Sequence, residues 1–455
     1  MRRLTSIDFL RGLAVWFMTV AHALMVNLKI NIPTNPLELP TGFLILGVIF
    51  VNFMHWRGFF ILISGVANFY QMFNAVENGK SRFEILKKQF FTGILLIVFG
   101  KMLITFFYFY GIIDNWTRSQ GWNWDNLSMF FYFDTVESLG FMMILSGCIF
   151  FFLSLIKSKK TLAIMSIFSL FIISVLIFVF SPYVQDFAGQ IAGVAIASDS
   201  ELFRSFGYKF DKGFWEKFIR IFLNAIGGRE APLFPMWGIF LIGGALAAVL
   251  QYPNPKKWIL RLFYIPCLCM ILWGAYEFVF IFRFENLTPF FHVFPRWYTF
   301  ISVGPQLIVI IIFLIQIEFN PKINSKLWLN WTKYFRRFGI FAFTVYWFQL
   351  LEAGPRLLFG VLFGIETAAR SQLSVGWSLI ITITTVLIWS GLLYVSDKRL
   401  SGIGTWEWFL LVLRNPQRWK KNANKGLDMD GVLHNVEMIH FADNKPQKSH
   451  STDQK

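Results

Sequence analysis

Ten long apolar blocks, each close to the length that crosses a bilayer, fix what this chain can fold into. They run over 8–27, 57–76, 89–110, 129–156, 161–181, 233–251, 258–282, 298–318, 338–362 and 374–396. A helix needs ~20 residues to cross ~30 Å of hydrocarbon at ~1.5 Å per residue. Hydrophobic residues fill 56% of the 455 positions and charged residues only 15%, against about 25% charged in an ordinary soluble domain. A soluble fold of this composition would expose large patches and aggregate. The expected fold class is therefore all-α, a polytopic membrane helix bundle of about ten spans.

A formal net charge of +16 invites a nucleic-acid reading, but the placement of the charges excludes it. Lys and Arg collect in alternate connections: Arg2 and Arg3; Lys80, Arg82, Lys87 and Lys88; Lys157, Lys159 and Lys160. The set continues with Lys256, Lys257 and Arg261, then Lys322, Lys326, Lys333, Arg336 and Arg337, then Lys398 and Arg399. The other short connections offer mainly Lys29, Arg118, Arg283 and Arg296. By the positive-inside rule the basic set faces the cytoplasm, which puts both termini inside; the cell membrane is the expected location. Sequons at Asn115, Asn126 and Asn286 fall on the opposite side, as an exported face allows.

Met1-Arg-Arg leads into an apolar segment interrupted by Asp8 and Arg11, without a small-residue cleavage site, so the first helix is expected to stay attached. Cys148, Cys267 and Cys269 lie inside apolar blocks with no His at ligand spacing. They read as buried thiols, and no metal site is expected.

Three stretches depart from a simple hairpin bundle. Residues 41–56 read as an interfacial or half-inserted helix on the outer side. The long outer segment 182–232 carries Phe214, Trp215, Phe218, Ile219 and Phe222 at helical spacing beside Lys217 and Arg220, the pattern of an amphipathic helix. From residue 416 the apolar periodicity fades, so the organisation reads as a membrane domain over 1–415 and a polar, disordered cytoplasmic tail over 416–455.

Ionisable groups at membrane depth cost several kcal/mol unless paired, which makes them the functional candidates. In the first span Asp8, Arg11, Val15, Met18 and His22 recur at three- and four-residue steps and share one face. His22 stands about 16 Å beyond Arg11 along the axis. Asp8 and Arg11 suit a neutralising pair at the membrane edge, whereas His22 has no partner within a turn and suits acid–base work. His55 and Arg57 stand at the mouth of the second span, with Ser64 and Asn68 on the face of Arg57. Asp134, Glu137 and Ser138 gather at the outer end of the fourth. Those carboxylates have two readings: orienting a catalytic histidine, or pairing with Arg57 or Lys101 to hold helices together. Glu277, Tyr346, Gln349, Glu352 and Arg356 complete the set, the last two spaced to pair with each other.

Arg3-Leu-Thr-Ser-Ile-Asp-Phe-Leu-Arg-Gly-Leu-Ala, followed by His22, resembles the opening helix of the transmembrane acyltransferase superfamily. That superfamily includes heparan-α-glucosaminide N-acetyltransferase and bacterial membrane O-acyltransferases. Gly58-Phe-Phe-Ile-Leu-Ile-Ser-Gly65, Phe234-Pro-Met-Trp-Gly-Ile-Phe-Leu-Ile-Gly-Gly-Ala, Gly339 through Tyr346-Trp-Phe-Gln349, and Gly404-Thr-Trp-Glu-Trp408 leading to Arg414 resemble later family segments in order. The resemblance implies ten or eleven helices around a cavity, with acyl-CoA, commonly acetyl-CoA, as a cytoplasmic co-substrate and no permanently bound cofactor. It implies a small-molecule or glycan acceptor on the far side and a histidine that deprotonates it or carries the acyl group.

Carried over by position, Arg11 and Gly12 belong to the first motif, and His22 falls where the O-acyltransferases place a histidine. His55 sits nearer to the histidine of the heparan enzyme, though its spacing to Gly65 differs. Gln349 stands where that span often has histidine. The expected catalytic set is then His22, His55, Asp134 and Glu137, with Arg11, Arg57, Arg336 and Arg337 toward acyl-CoA. For Lys333, Arg336 and Arg337 a plain positive-inside anchor is the competing reading. Membrane lipid is an expected partner, nucleic acid is not, and self-association is left open. A transporter or a non-catalytic lipid-binding protein remains the alternative for the whole chain.

Overall fold

The computed structural model describes residues 2–28, 57–107, 112, 130, 133–191, 219, 222–223, 225–227, 232–253, 255–280, 296–320, 322–365, 373–414, 426–434, 436–439 and 441. Within them, nine helices are long and apolar enough to cross a membrane. The chain is an all-α, multi-pass membrane protein. With no water in hydrocarbon to satisfy backbone groups, each crossing has to bond internally, and the helix is the solution open to a single segment.

α1 (Thr5–Asn27) is followed by α2 (Arg57–Glu77), α3 (Arg82–Met102, running on as the π turn Leu103–Phe107) and α4 (Thr135–Leu153). Next come α5 (Lys159–Ile191), α6 (Leu233–Leu250), α7 (Lys257–Phe280, interrupted at Phe263) and α8 (Arg296–Phe313, ending in the π turn Leu314–Glu318). Two starts have local causes: a capping box of Ser81 and Glu84 opens α3, and the Asp134 side chain caps α4 through the Thr135 N–H.

The span expected at 338–362 is not one helix. The chain instead enters through the amphipathic α9 (Ser325–Ile340), breaks at Phe341, forms the short α10 (Ala342–Trp347), and breaks again at Phe348. A 3₁₀ turn, Gln349–Glu352, then leads into α11 (Ala353–Phe363). At both breaks the backbone leaves the helical region, with φ/ψ of −98°/28° and −101°/30°. The ninth long helix is α12 (Val375–Lys398), and α13 (Trp406–Arg414) turns back against α3 and α10.

Small residues set the closest contacts, as expected where helices associate in lipid by van der Waals packing rather than by the hydrophobic effect. Gly65 and Gly243 let α2 and α6 touch backbone to backbone, Gly93 and Gly140 do so for α3 and α4, and Gly12 and Gly339 for α1 and α9. α6 is enclosed between α2 and α5, with 89% of its most apolar stretch buried. α1 is surrounded by α2, α8, α9, α10 and α12, and none of its described side chains is exposed. The lipid-facing surface lies elsewhere, on residues such as Phe168 and Ile172 of α5 and Leu268 and Leu272 of α7.

Part of the tail expected at 416–455 falls among the described residues. Residues 426–441 include an ordered strap in which a π turn, Asp430–His434, leads to β2 (Glu437–Met438). β2 pairs in parallel with β1 (Arg2–Arg3), Arg2 opposite Glu437 and Arg3 opposite Met438. Met429, Leu433, Val436, Met438 and Phe441 are buried, which offsets the entropy of ordering the segment. Arg2–Arg3 and the strap therefore meet at one end of the bundle. α5 takes in the first ten residues of the outer segment, to Ile191; its amphipathic part around 214–222 lies largely outside the described residues, and 41–56 lies wholly outside.

A Cβ at Gly12 would collide with the Phe335 carbonyl oxygen, which is backbone and cannot swing aside. Gly12→Ala is expected to cost at least the ~1–3 kcal/mol of ordinary overpacking and to lower the thermal midpoint of the detergent-purified protein clearly. Gly391→Ala, within α12 where a Cβ meets nothing, should hold or raise that midpoint.

Candidate functional site

The polar residues of α1 begin at the end where β1 and β2 meet. Asp8 is buried and lies between two cations, 2.8 Å from Arg3 Nε and 3.3 Å from Arg11 Nη2. The edge-of-membrane pair read from the sequence is thus a triad that includes Arg3. Ser6 and Thr5, one turn below, donate to Glu318 Oε1 at the end of α8, from Ser6 N at 3.0 Å, Ser6 Oγ at 3.1 Å and Thr5 Oγ1 at 3.3 Å. Glu318 is fully buried and its second oxygen has no partner.

Farther along α1 the broken segment faces it. The N-terminus of α10 has unpaired backbone donors, as every helix start does. Glu407 of α13 accepts from Phe343 N at 2.6 Å, from Thr344 N at 3.0 Å and from the Thr344 hydroxyl. It also lies within electrostatic reach of Arg11. The Trp347 and Trp406 rings approach to 3.9 Å between centroids and hold α13 against α10. From the same short helix, Tyr346 donates to Asp134 Oδ2 at 2.6 Å. Asp134 Oδ1 accepts from Thr135 N at 2.7 Å and from the Thr135 hydroxyl at 3.0 Å. One turn into α4, the Glu137 carboxylate, fully buried, sits 3.5 Å from Lys101 Nζ of α3.

Past the second break, Gln349 Nε2 lies 3.6 Å from Met18 Sδ, while its Oε1 is buried with no hydrogen-bond partner. Met18 is one turn below His22 on the same face. The broken segment therefore meets α1 at Met18, with Glu407 in reach of Arg11; Arg11, Met18 and His22 are all half-buried. An orphaned amide beside that face is a group placed to bond something other than protein.

Of the residues expected from the sequence, Asp134 bonds to the broken segment, Arg11 lies in reach of Glu407, Glu137 is committed to Lys101, and His22 is half-buried one turn beyond Met18 on α1. The Lys101 partnership for Glu137 is the one found. Asp134 bonds Tyr346. Arg57 begins α2, but its side chain lies outside the described residues, as do His55 and the Glu352 side chain of the expected Glu352–Arg356 pair. Glu277 accepts from Trp273 Nε1 at 2.6 Å within α7. Arg336 and Arg337 are buried, so neither is a solvated anchor. Arg337 donates from Nε and Nη2 to Asp397 Oδ2 at 3.1 and 2.9 Å. Arg336, wholly buried, donates to the Val432 carbonyl at 3.1 Å. Glu318, Asp397, Glu407 and His434 were not singled out by sequence. Only Glu407, an acid between two tryptophans in an otherwise apolar run, gave a usable signal.

Among the described residues no group of three or more His, Cys, Asp and Glu could hold a metal. No protein-family model matches this chain, and no curated protein matches it. The site is therefore read from its own chemistry.

Removing Lys101 would leave Glu137 charged and alone in the interior. Lys101→Met is expected to destabilise by ~3–5 kcal/mol, and adding Glu137→Leu should restore most of it, because the apolar pair removes both desolvation penalties. Unfolding in detergent, followed for both variants, checks this; a double variant as unstable as the single would show that the pair is not the coupled unit.

Proposed function

We propose that this protein is a membrane acyltransferase that moves an acyl group, as acetyl, from cytoplasmic acyl-CoA to a hydroxyl or amine acceptor at the opposite face. The observation that carries the reading is the enclosure of α1. The His22 imidazole is half-buried on a helix that has no exposed side chain among its described residues and that five other helices pack against, which supports a place for it inside the bundle. The resemblance of the first helix to the transmembrane acyltransferases adds to this and supplies the reaction class.

The end where β1 and β2 meet carries Arg2, Arg3, Lys322, Lys398 and Arg399, and the positive-inside rule turns that end to the cytoplasm. A nucleotide–phosphate donor entering there meets the cationic residues first. From Arg11 to His22 is ~16 Å along the helix, of the order of an extended pantetheine arm, which lets the thioester reach the imidazole while the phosphates stay at the basic end. His22 then takes the proton of the acceptor O–H or N–H as the acceptor oxygen or nitrogen attacks the thioester carbonyl. The C–S bond breaks, and the CoA thiolate leaves and receives that proton. Tyr346, bonded to Asp134, and Gln349, with a free acceptor oxygen, supply polar contacts along the path. The acceptor class, sugar or other, rests on the resemblance alone.

A second reading has its own observation. Broken helices that line a polar column also carry solutes in transporters, and the breaks at Phe341 and Phe348 have that form.

Incubating the purified protein with radiolabelled acetyl-CoA and a panel of sugar and amine acceptors separates the two. Label transfer is expected, with His22→Ala lowering it ~10²-fold or more, the usual range for a general base. Solute flux into liposomes with no acyl turnover would replace the enzyme by a carrier, and full turnover by His22→Ala would remove His22 from the chemistry.

A further inference from the structure

The ordered strap at the C-terminus covers the basic end of the column. Leu427 N donates to Ser401 O at 2.7 Å, fixing the start of the strap to the turn after α12. Met429 and Leu433 enter a cluster with Phe338, Phe341, Val345 and Trp389. His434 Nε2 lies 2.8 Å from Asp397 Oδ1, the carboxylate that also holds Arg337. Phe441 stacks on Phe319 at 4.8 Å, and the β1–β2 pairing ties the strap to the N-terminus.

Beneath it, Arg336 is poorly satisfied. A guanidinium offers five N–H donors, yet Arg336 uses Nη2 alone, on the Val432 carbonyl, while Nε and Nη1 are buried with no partner. Three charges act on it from a distance, the carboxylates of Asp8 and Glu318 and the Arg3 guanidinium. Asp8 is engaged by Arg3 and Arg11, Glu318 by Thr5 and Ser6, and neither pairs with Arg336. A fully buried cation with two idle nitrogens and a neutral carbonyl as its one direct ligand is a site whose natural partner is an anion with several oxygens.

We propose that residues 426–441 are a displaceable strap that closes an anion site at Arg336, and that a phosphate-bearing ligand displaces the strap by taking the place of the Val432 carbonyl. The inference rests on the acyl-CoA reading for the identity of that ligand, and it adds a closed state to the donor site. The strap is a good competitor for the empty site and a poor one for phosphate. Its carbonyl carries no charge, whereas a phosphate oxygen pair matches the fork of Nε and Nη geometry. Arg337 stays with Asp397 throughout; release of the strap breaks the His434–Asp397 contact, and the new ion pair at Arg336 offsets that loss.

The test uses the full chain in lipid nanodiscs with 3′,5′-ADP, the nucleotide end of CoA, and with CoA itself. Amide hydrogen exchange over 426–441 is expected to rise about tenfold at saturating ligand. His434→Ala and Phe441→Ala, which loosen the strap without touching Arg336, should tighten nucleotide binding several-fold. Arg336→Gln should abolish both effects. A chain ending at Lys425 is expected to bind more tightly still, and the two point variants carry the test if that chain fails to fold. Nucleotide binding that leaves the strap as protected as before, or that the point variants do not alter, overturns the proposal. Strap release without acyl transfer upholds it and removes the transferase reading; acyl transfer with a protected strap does the reverse. No nucleotide binding at all overturns both.

Discussion

The Glu407 carboxylate on the first turn of α10 is the interaction that lets a broken helix exist inside this bundle. A helix interrupted at membrane depth leaves backbone donors with no water to bond, and each costs several kcal/mol in hydrocarbon. Phe343 N and Thr344 N find their acceptor 64 and 63 residues later in the chain, on a short helix that turns back into the protein for that contact. The break, the return of α13 and the close packing of Trp347 against Trp406 are therefore one feature. Since Tyr346 and Gln349 both lie within or just beyond α10, the same carboxylate sets where the polar groups of the column point.

That dependence explains what could be read from the sequence and what could not. Helix length and apolar content are local, so nine long helices are legible from hydropathy alone. The segment 338–362 is apolar from Phe338 to Phe348 apart from Thr344 and has no proline at Phe341 or Phe348 to mark a break; its interruption is decided by an acid far along the chain. The strap hid for a different reason. Met429, Leu433 and Val436 do stand at i, i+4 and i+7, a helical stripe by spacing, but Asp428, Asp430 and Asn435 dilute the segment below any window average. In α9 the run Lys333, Arg336, Arg337 reads as one basic patch because the residues are close in sequence. Helical geometry divides it: Arg337 goes to Asp397 on α12, and Arg336 turns under the strap.

Of the candidate site, the residues of α1 were legible because charge in an apolar span is conspicuous. Their partners were not. Asp134 and Glu137 looked alike, two acids a turn apart. The structure gives them different work, since Asp134 caps α4 and receives Tyr346 while Glu137 is committed to Lys101. A carboxylate held against a lysine in a dry interior fixes helix position and is poorly placed to exchange protons with a substrate. A carboxylate bonded to a phenol at a helix break is on the column itself.

Rigidity also bears on which chemistry the column suits. Gly12 and Gly339 bring the backbones of α1 and α9 into contact, and a contact that close cannot slide without a clash on either side. The half of the column nearest β1 is thereby fixed, as positioning a thioester against one imidazole requires. Alternating access demands that one group of helices rock against another around the bound solute, and α1 would have to part from α9 to do so. A donor that enters past the strap asks for no such motion. It needs the basic end to open and the rest of the column to stay where it is, which a locked glycine contact between α1 and α9 allows.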